Sequence, residues 1–147
     1  MSMNYDAMII APHPDDAEFG MGGTMIKLTQ AGKKVISVCL TQGEMGTYGI
    51  PETRREEFEH ASKVSGCDCV MLDFPDTGIE NDRESRVRVA RLLREYRPQV
   101  VFAPYYKNDL GLPGGLVHVD HYTTGALVRD AVKFSRLKNV IADMEPH

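Results

Sequence analysis

The sequence predicts an α/β fold, a three-layer sandwich with a mostly parallel sheet and helices on both faces. Three observations carry this. Short apolar runs alternate with segments of helical periodicity along most of the 147-residue chain. The runs are continuous rather than alternating in polarity, as expected of strands buried on both faces. Each run up to the fourth is followed by a helical segment, so successive strands join through right-handed βαβ crossovers.

Residues 7–11 form the first run, followed by a polar turn at 13–16. A helix is expected over 17–31, where Met21, Met25 and Leu28 repeat at i, i+4 and i+7 and Gly32 supplies the stop. Residues 35–40 form the second strand. A glycine-rich loop over 42–49 leads into a helix over 52–65, with Phe58, Ala61 and Val64 toward the core. The third strand is 69–72, and the turn residues of 73–82 read as loop. Val89, Leu92, Leu93 and Tyr96 mark a helix that Pro98 ends. The fourth strand is 100–103, and a loop over 104–117 precedes a helix over 120–134 with Leu127, Ala131 and Phe134 inward. Residues 139–142 start a fifth strand. The arrangement is Rossmann-like, and with no repeat or linker it reads as a single domain over 1–147.

A net charge of -4 exerts no global pull toward nucleic acid or anionic membranes. The arginines between Arg83 and Arg97 alternate with Glu84 and Glu95 and read as a solvated helix face, so no nucleic-acid partner is expected. No apolar run approaches the ~18 residues that span a bilayer, so no membrane insertion is expected. The N-terminus lacks a secretory pattern, and Cys39, Cys67 and Cys69 make no disulfide framework. Cys39 reads as a small core residue and the lone Cys67-Asp68-Cys69 as no metal site, so the expected compartment is the cytoplasm.

Two polar clusters stand out: His13-Pro14-Asp15-Asp16, and His118-Val119-Asp120-His121. Each lies where a strand gives way to a helix, and ligands of parallel sheets bind beyond the carboxyl ends of the strands. The fold therefore predicts that the clusters share one crevice. Pro14 biases His13 toward extended geometry, and the three-residue spacing lets His13 and Asp16 face one point, with Asp15 beside it. Glu18 suits the helix dipole. Helix capping accounts for one aspartate there, but not for His-Pro-Asp-Asp.

His121 completes a set of two histidines and one carboxylate, the donors of a hydrolytic metal site with an open position. Asp120, hydrogen-bonded to His118, would orient that ring and raise its pKa, and a protonated imidazole can stabilise an oxyanion and protonate a leaving amine. Two unrelated histidines with Asp120 as a helix cap account equally well for the second cluster alone. The same donors suit non-haem Fe(II), but the spare Asp15 favours water activation. No G-x-G-x-x-G follows the first strand, which speaks against a dinucleotide site. Together the clusters predict a metal-dependent hydrolase. Protonation of Asp15 would set the acid limb of its activity and deprotonation of His118 the alkaline limb.

At these residues the chain resembles the LmbE-like, or PIG-L, family of N-acetylglucosaminyl deacetylases. Ala11 through Glu18 is close to that family's A-H-P-D-D-E signature, and His118 to His121 is its H-x-D-H. Thr41-Gln42-Gly43-Glu44 is similar to the loop after its second strand, and Arg54-Arg55-Glu56-Glu57 through Ala61 and Gly66 to its R-x-x-E-x-x-x-A helix. Leu72 to Gly78, and Pro98-Gln99-Val100-Val101, follow in the family's order, so the likeness covers residues 5–132.

The resemblance implies that His13, Asp16 and His121 ligate Zn2+, with Fe2+ or another divalent metal as alternatives. It implies Asp15 as general base toward the attacking water, and His118, paired with Asp120, as oxyanion stabiliser and proton donor. The substrate would be a small-molecule amino sugar, an N-acetylglucosamine unit that loses acetate. Arg54 is the candidate substrate contact, with Arg55 competing, and Tyr48, Tyr105 and Tyr106 lie in loops able to stack on a sugar. A homo-oligomer is also implied. Ala11-Pro12 departs from the family's usual junction. Family members usually continue beyond the point where this chain stops, with a part that adds strands and helps close the pocket. The expectation is therefore a truncated form or a pocket completed by a partner subunit. The alternative is a metal- or ligand-binding relative without turnover.

Overall fold

In the computed structural model, which describes residues 3–105, 107 and 118–147, the apolar runs pair into a parallel sheet. Its strands are β1 (Ala7–Ala11), β2 (Val35–Thr41), β3 (Asp68–Phe74) and β4 (Val100–Phe102). The spatial order is β3-β2-β1-β4, so Ile9 pairs with Ser37 on one side and Phe102 on the other. The chain builds outward from β1 to β3 and then returns to β1's far side. That reversal opens a crevice beyond the ends of β1 and β4.

Four helices cover the sheet: α1 (Asp16–Gln30), α2 (Pro51–Ser65), α3 (Arg83–Tyr96) and α4 (Val119–Arg136). Because side chains alternate across a strand, β1 feeds two cores. Met8 and Ile10 join Ile36, Val38 and Leu40 against Val89 and Leu93 of α3 and Leu127 and Ala131 of α4. Ala7, Ile9 and Ala11 join a smaller core with Ala17 and Met25 of α1.

Local chemistry sets the helix ends. Pro51 occupies the first turn of α2, where a missing N–H costs nothing, and Gly66 closes it with φ 74°. The Asp82 carboxylate accepts the Ser85 N–H at 2.8 Å to start α3.

Three expectations need correction. Residues 139–142 form no strand: Lys138–Val140 is a 3-10 turn. The cause is Arg94, which the arginine-rich pattern assigns to a solvated face. It is only 3% exposed, and its guanidinium donates to the carbonyls of Leu137 (2.8 Å), Met144 (2.6 Å), Ser135 (3.0 Å) and Ile141. Those acceptors are then unavailable to a sheet ladder. Finally, Val64 is 71% exposed, because α2 takes its phase from Phe58 and buries Ser62 and Ser65 instead. Most of the 104–117 loop, with Tyr106, lies outside the described residues. No helix among the described residues is long and apolar enough to cross a membrane.

Candidate active site

The first cluster forms the turn from β1 into α1. Asp15, the residue before α1, adopts φ 106°, a left-handed backbone that costs an ordinary residue about 1–3 kcal/mol. Its side chain makes no capping bond. Asp16 turns back instead: Oδ2 accepts the His13 backbone N–H at 3.0 Å and lies 3.2 Å from His13 Nδ1. Its other oxygen lies 3.1 Å from His121 Nε2 on α4. Residues separated by about a hundred positions thus meet, and ligand atoms of His13, Asp16 and His121 all lie within 4.8 Å of one another. Two imidazoles and a carboxylate at that spacing suit a divalent metal.

The second cluster forms the entrance of α4. His118 is its cap, with Nδ1 accepting the Asp120 N–H at 3.2 Å, which leaves the ring proton on Nε2. The expected Asp120–His118 hydrogen bond is not made: Oδ2 of Asp120 stands 3.7 Å from Nδ1. Asp120 is fully buried and serves other groups. Its Oδ2 lies 2.9 Å from His13 Nε2 and accepts the Thr77 N–H at 2.8 Å, and its Oδ1 accepts the Ile79 N–H at 3.4 Å. The His13 ring packs edge-on against His118 at 4.8 Å between centroids.

Asp76, in the loop after β3, went unnoticed in the sequence. It is buried, with Oδ1 3.1 Å from His13 Nε2 and Oδ2 accepting the Met45 N–H at 2.9 Å. Its own N–H donates to Glu44 Oε1 at 2.7 Å. The residue lies within a stretch that follows the family's order, Leu72 to Gly78, but an aspartate beside Pro75 and Gly78 is also an ordinary turn residue.

Arg54 reaches the Gly43 carbonyl (3.1 Å), the Pro14 carbonyl (2.8 Å) and Asp15 (3.5 Å). This explains the glycines of the preceding loop, since a Cβ at Gly43 or Gly46 would come within 2.6 Å of Arg54 Nη1. His13, Asp15, Arg54, Asp76 and His118 line a cleft of about 260 Å³. On the other side, Asp15, Asp16 and His121 border a pocket of about 400 Å³ walled by Ile9, Phe19, Met21 and Phe102. Tyr48 and Tyr105 are exposed.

Charge follows this wiring. Burial works against protonation of His13, but Asp16, Asp120 and Asp76 outweigh it and push the ring up to about 9. Burial opposes ionisation of Asp16, yet His13 and His121 hold its carboxyl below the usual range. Desolvation and the Asp16 charge raise Asp15, with Arg54 pulling the other way.

Comparison with known proteins gives the same direction. The PIG-L family model, described as GlcNAc-PI de-N-acetylase, matches residues 8–132. A diacetylchitobiose deacetylase of Thermococcus kodakarensis is 36% identical over 95% of this chain and 55% of its own. A probable N-acetyl-alpha-D-glucosaminyl L-malate deacetylase 2 of Bacillus anthracis is 31% identical over 85% of this chain and 58% of its own. The solved structure of the conserved protein TT1542 from Thermus thermophilus superposes with a TM-score of 0.86 at 38% identity, covering 97% of this chain and 62% of that one. The chain thus spans little more than half the length of these relatives.

Proposed function

Because this chain belongs to the PIG-L family, we propose that it is a zinc-dependent N-deacetylase releasing acetate from an N-acetylglucosamine-type sugar or conjugate. One observation carries the reading: His13 and Asp16 converge with His121 in the crevice that Asp15 and His118 also border. Zinc fits the donors of His13, Asp16 and His121, and when bound it supplies Lewis acidity and a lowered pKa for water.

The chain's own groups do the rest. Asp15, on its strained turn, accepts a proton from the water that attacks the amide carbon. His118, which carries its proton on Nε2, donates that N–H to the developing oxyanion and hands it to the amine as the C–N bond breaks, regaining a proton from Asp15 so that the imidazole ends neutral as it began. Asp120 acts on His118 through its backbone N–H rather than its carboxylate. Arg54 lines the same cleft, so the sugar contact proposed for it would be made alongside its bonds to Pro14 and Gly43. The reading takes residues 1–147 as one domain, in a homo-oligomer acting on a soluble amino sugar in the cytoplasm.

The test starts with elemental analysis of protein purified without added metal, for wild type and His121→Ala. The expected result is about one zinc per chain in wild type, lost in the variant. Acetate release from N-acetylglucosamine and diacetylchitobiose follows. Metal without release from any N-acetyl sugar would leave a binding module; well-folded wild type without metal would end the hydrolase reading.

A further inference from the structure

The His13 ring is held from both sides, and one of its holders has no role in the reaction above. A neutral imidazole has one N–H and one lone pair, so it ligates a metal through whichever nitrogen lacks the proton. Nδ1 faces Asp16, within the proposed metal-ligand set. Nε2 faces two carboxylates, Asp120 at 2.9 Å and Asp76 at 3.1 Å. Ionised carboxylates only accept hydrogen bonds, so they keep the proton on Nε2 and leave Nδ1 free to ligate.

The two carboxylates are not equivalent. Asp120 also accepts two backbone N–H groups from the Thr77–Ile79 turn and is sealed inside the protein, so it belongs to the scaffold. Asp76 sets Oδ1 3.1 Å from His13 Nε2, a charge contact beside the Asp120 hydrogen bond, and with Oδ2 accepts the Met45 N–H. Met45 walls the cleft that Asp15 and His118 also line. Thr77, the next residue, is held at φ 69°, a strained backbone that lets consecutive positions reach His13 and Asp120.

We propose that Asp76 is a positioning residue that fixes His13 as an Nδ1 ligand and ties that ligand to the Met45 wall of the cleft. This rests on the assignment of His13, Asp16 and His121 as the metal set.

Asp76→Asn tests it, because the amide keeps the size but has one acceptor oxygen for two donors. Zinc affinity, read by competition with a chromophoric chelator, is expected to fall about 10–100-fold, the usual effect of removing a carboxylate behind a ligating histidine. In the zinc-loaded protein, ring nitrogen NMR signals of His13 should show its proton on Nε2 in wild type and a mixture in the variant. The Met45 amide should exchange faster. Asp73→Asn, which removes an exposed partner of Arg88 at the end of β3, should bind zinc as wild type does. A folded Asp76→Asn protein with wild-type zinc affinity and an unchanged His13 proton would overturn the proposal. If wild type takes up no metal, the deacetylase reading fails by itself. Asp76 is then judged on the His13 signals at alkaline pH, where a variant like wild type rejects it.

Discussion

At the entrance of α1, Asp15 is 76% exposed, holds a left-handed backbone and makes no capping bond; at the entrance of α4, Asp120 is fully buried and its two oxygens face three donors. Both are aspartates one residue from a proposed metal ligand. The difference lies in what each gives up. Asp15 sits in a costly conformation and keeps its carboxylate exposed, with one 3.5 Å contact to Arg54, as the proposed base needs. Asp120 surrenders its lone pairs to hold His13 and the turn after β3. Exposure and strain go with chemistry, burial and saturation with scaffold.

The largest expected effect breaks the scaffold side. Asp120→Ala removes the acceptor for His13 Nε2 and for the N–H groups of Thr77 and Ile79, and should cost about 3–5 kcal/mol, as loss of one partner of a buried charged network does. Urea denaturation measures it; a loss below about 1 kcal/mol would count against Asp120 as scaffold. Asp15→Asn should do the opposite. Stability and metal content stay close to wild type, while turnover falls about 10²–10⁴-fold, the usual worth of a general base. An Asp15 variant that fails to fold would erase the distinction between the two entrances.

A third, smaller effect depends on pH. In metal-free protein His13 is raised from 6.5 to about 9, so its contribution to stability is complete below 6.5 and fades as pH rises through 9. Asp16 is lowered, so its contribution is present above the ordinary carboxylate range and is lost as pH falls. Thermal melts of chelated protein should therefore drop by several degrees on the alkaline side, and loading with zinc should flatten that limb. A flat alkaline limb without metal would mean that the carboxylates around His13 are further away in solution. The smallest effect is a gain. A Cβ at Gly23 in α1 meets nothing within 4 Å, so Gly23→Ala should add about 0.5–1 kcal/mol without altering zinc uptake. A loss of metal there would tie the glycines of α1 to the site.

The sequence exposes one of these entrances better than the other. His-Pro-Asp-Asp after a buried run leaves few geometries, and the structure puts Asp16 between His13 and His121 as the spacing suggests. The second cluster reads correctly as to place but not as to wiring. Adjacency favours Asp120 with His118, yet helix entry points that carboxylate across to His13. Asp76 has no local signal at all, because its partners come from loops 31 and 63 positions away and a turn aspartate is commonplace. Arg94 misleads for a related reason. Charged residues recur along its helix, and only the return of the chain after α4 shows that this helix face is covered.

That arginine has a consequence for how the molecule comes apart. The four carbonyls it gathers span positions 135 to 144, so one planar guanidinium ties the last turn of α4 to the stretch after it, alongside the Arg91–Asp143 pair and buried Ile141. A lysine, with a single ammonium, does not match that fork of donors. Replacing Arg94 by lysine should therefore loosen residues 137–144 while the sheet stays in place. Faster amide exchange over residues 138–144 in that variant, with unchanged exchange in the sheet, would record it.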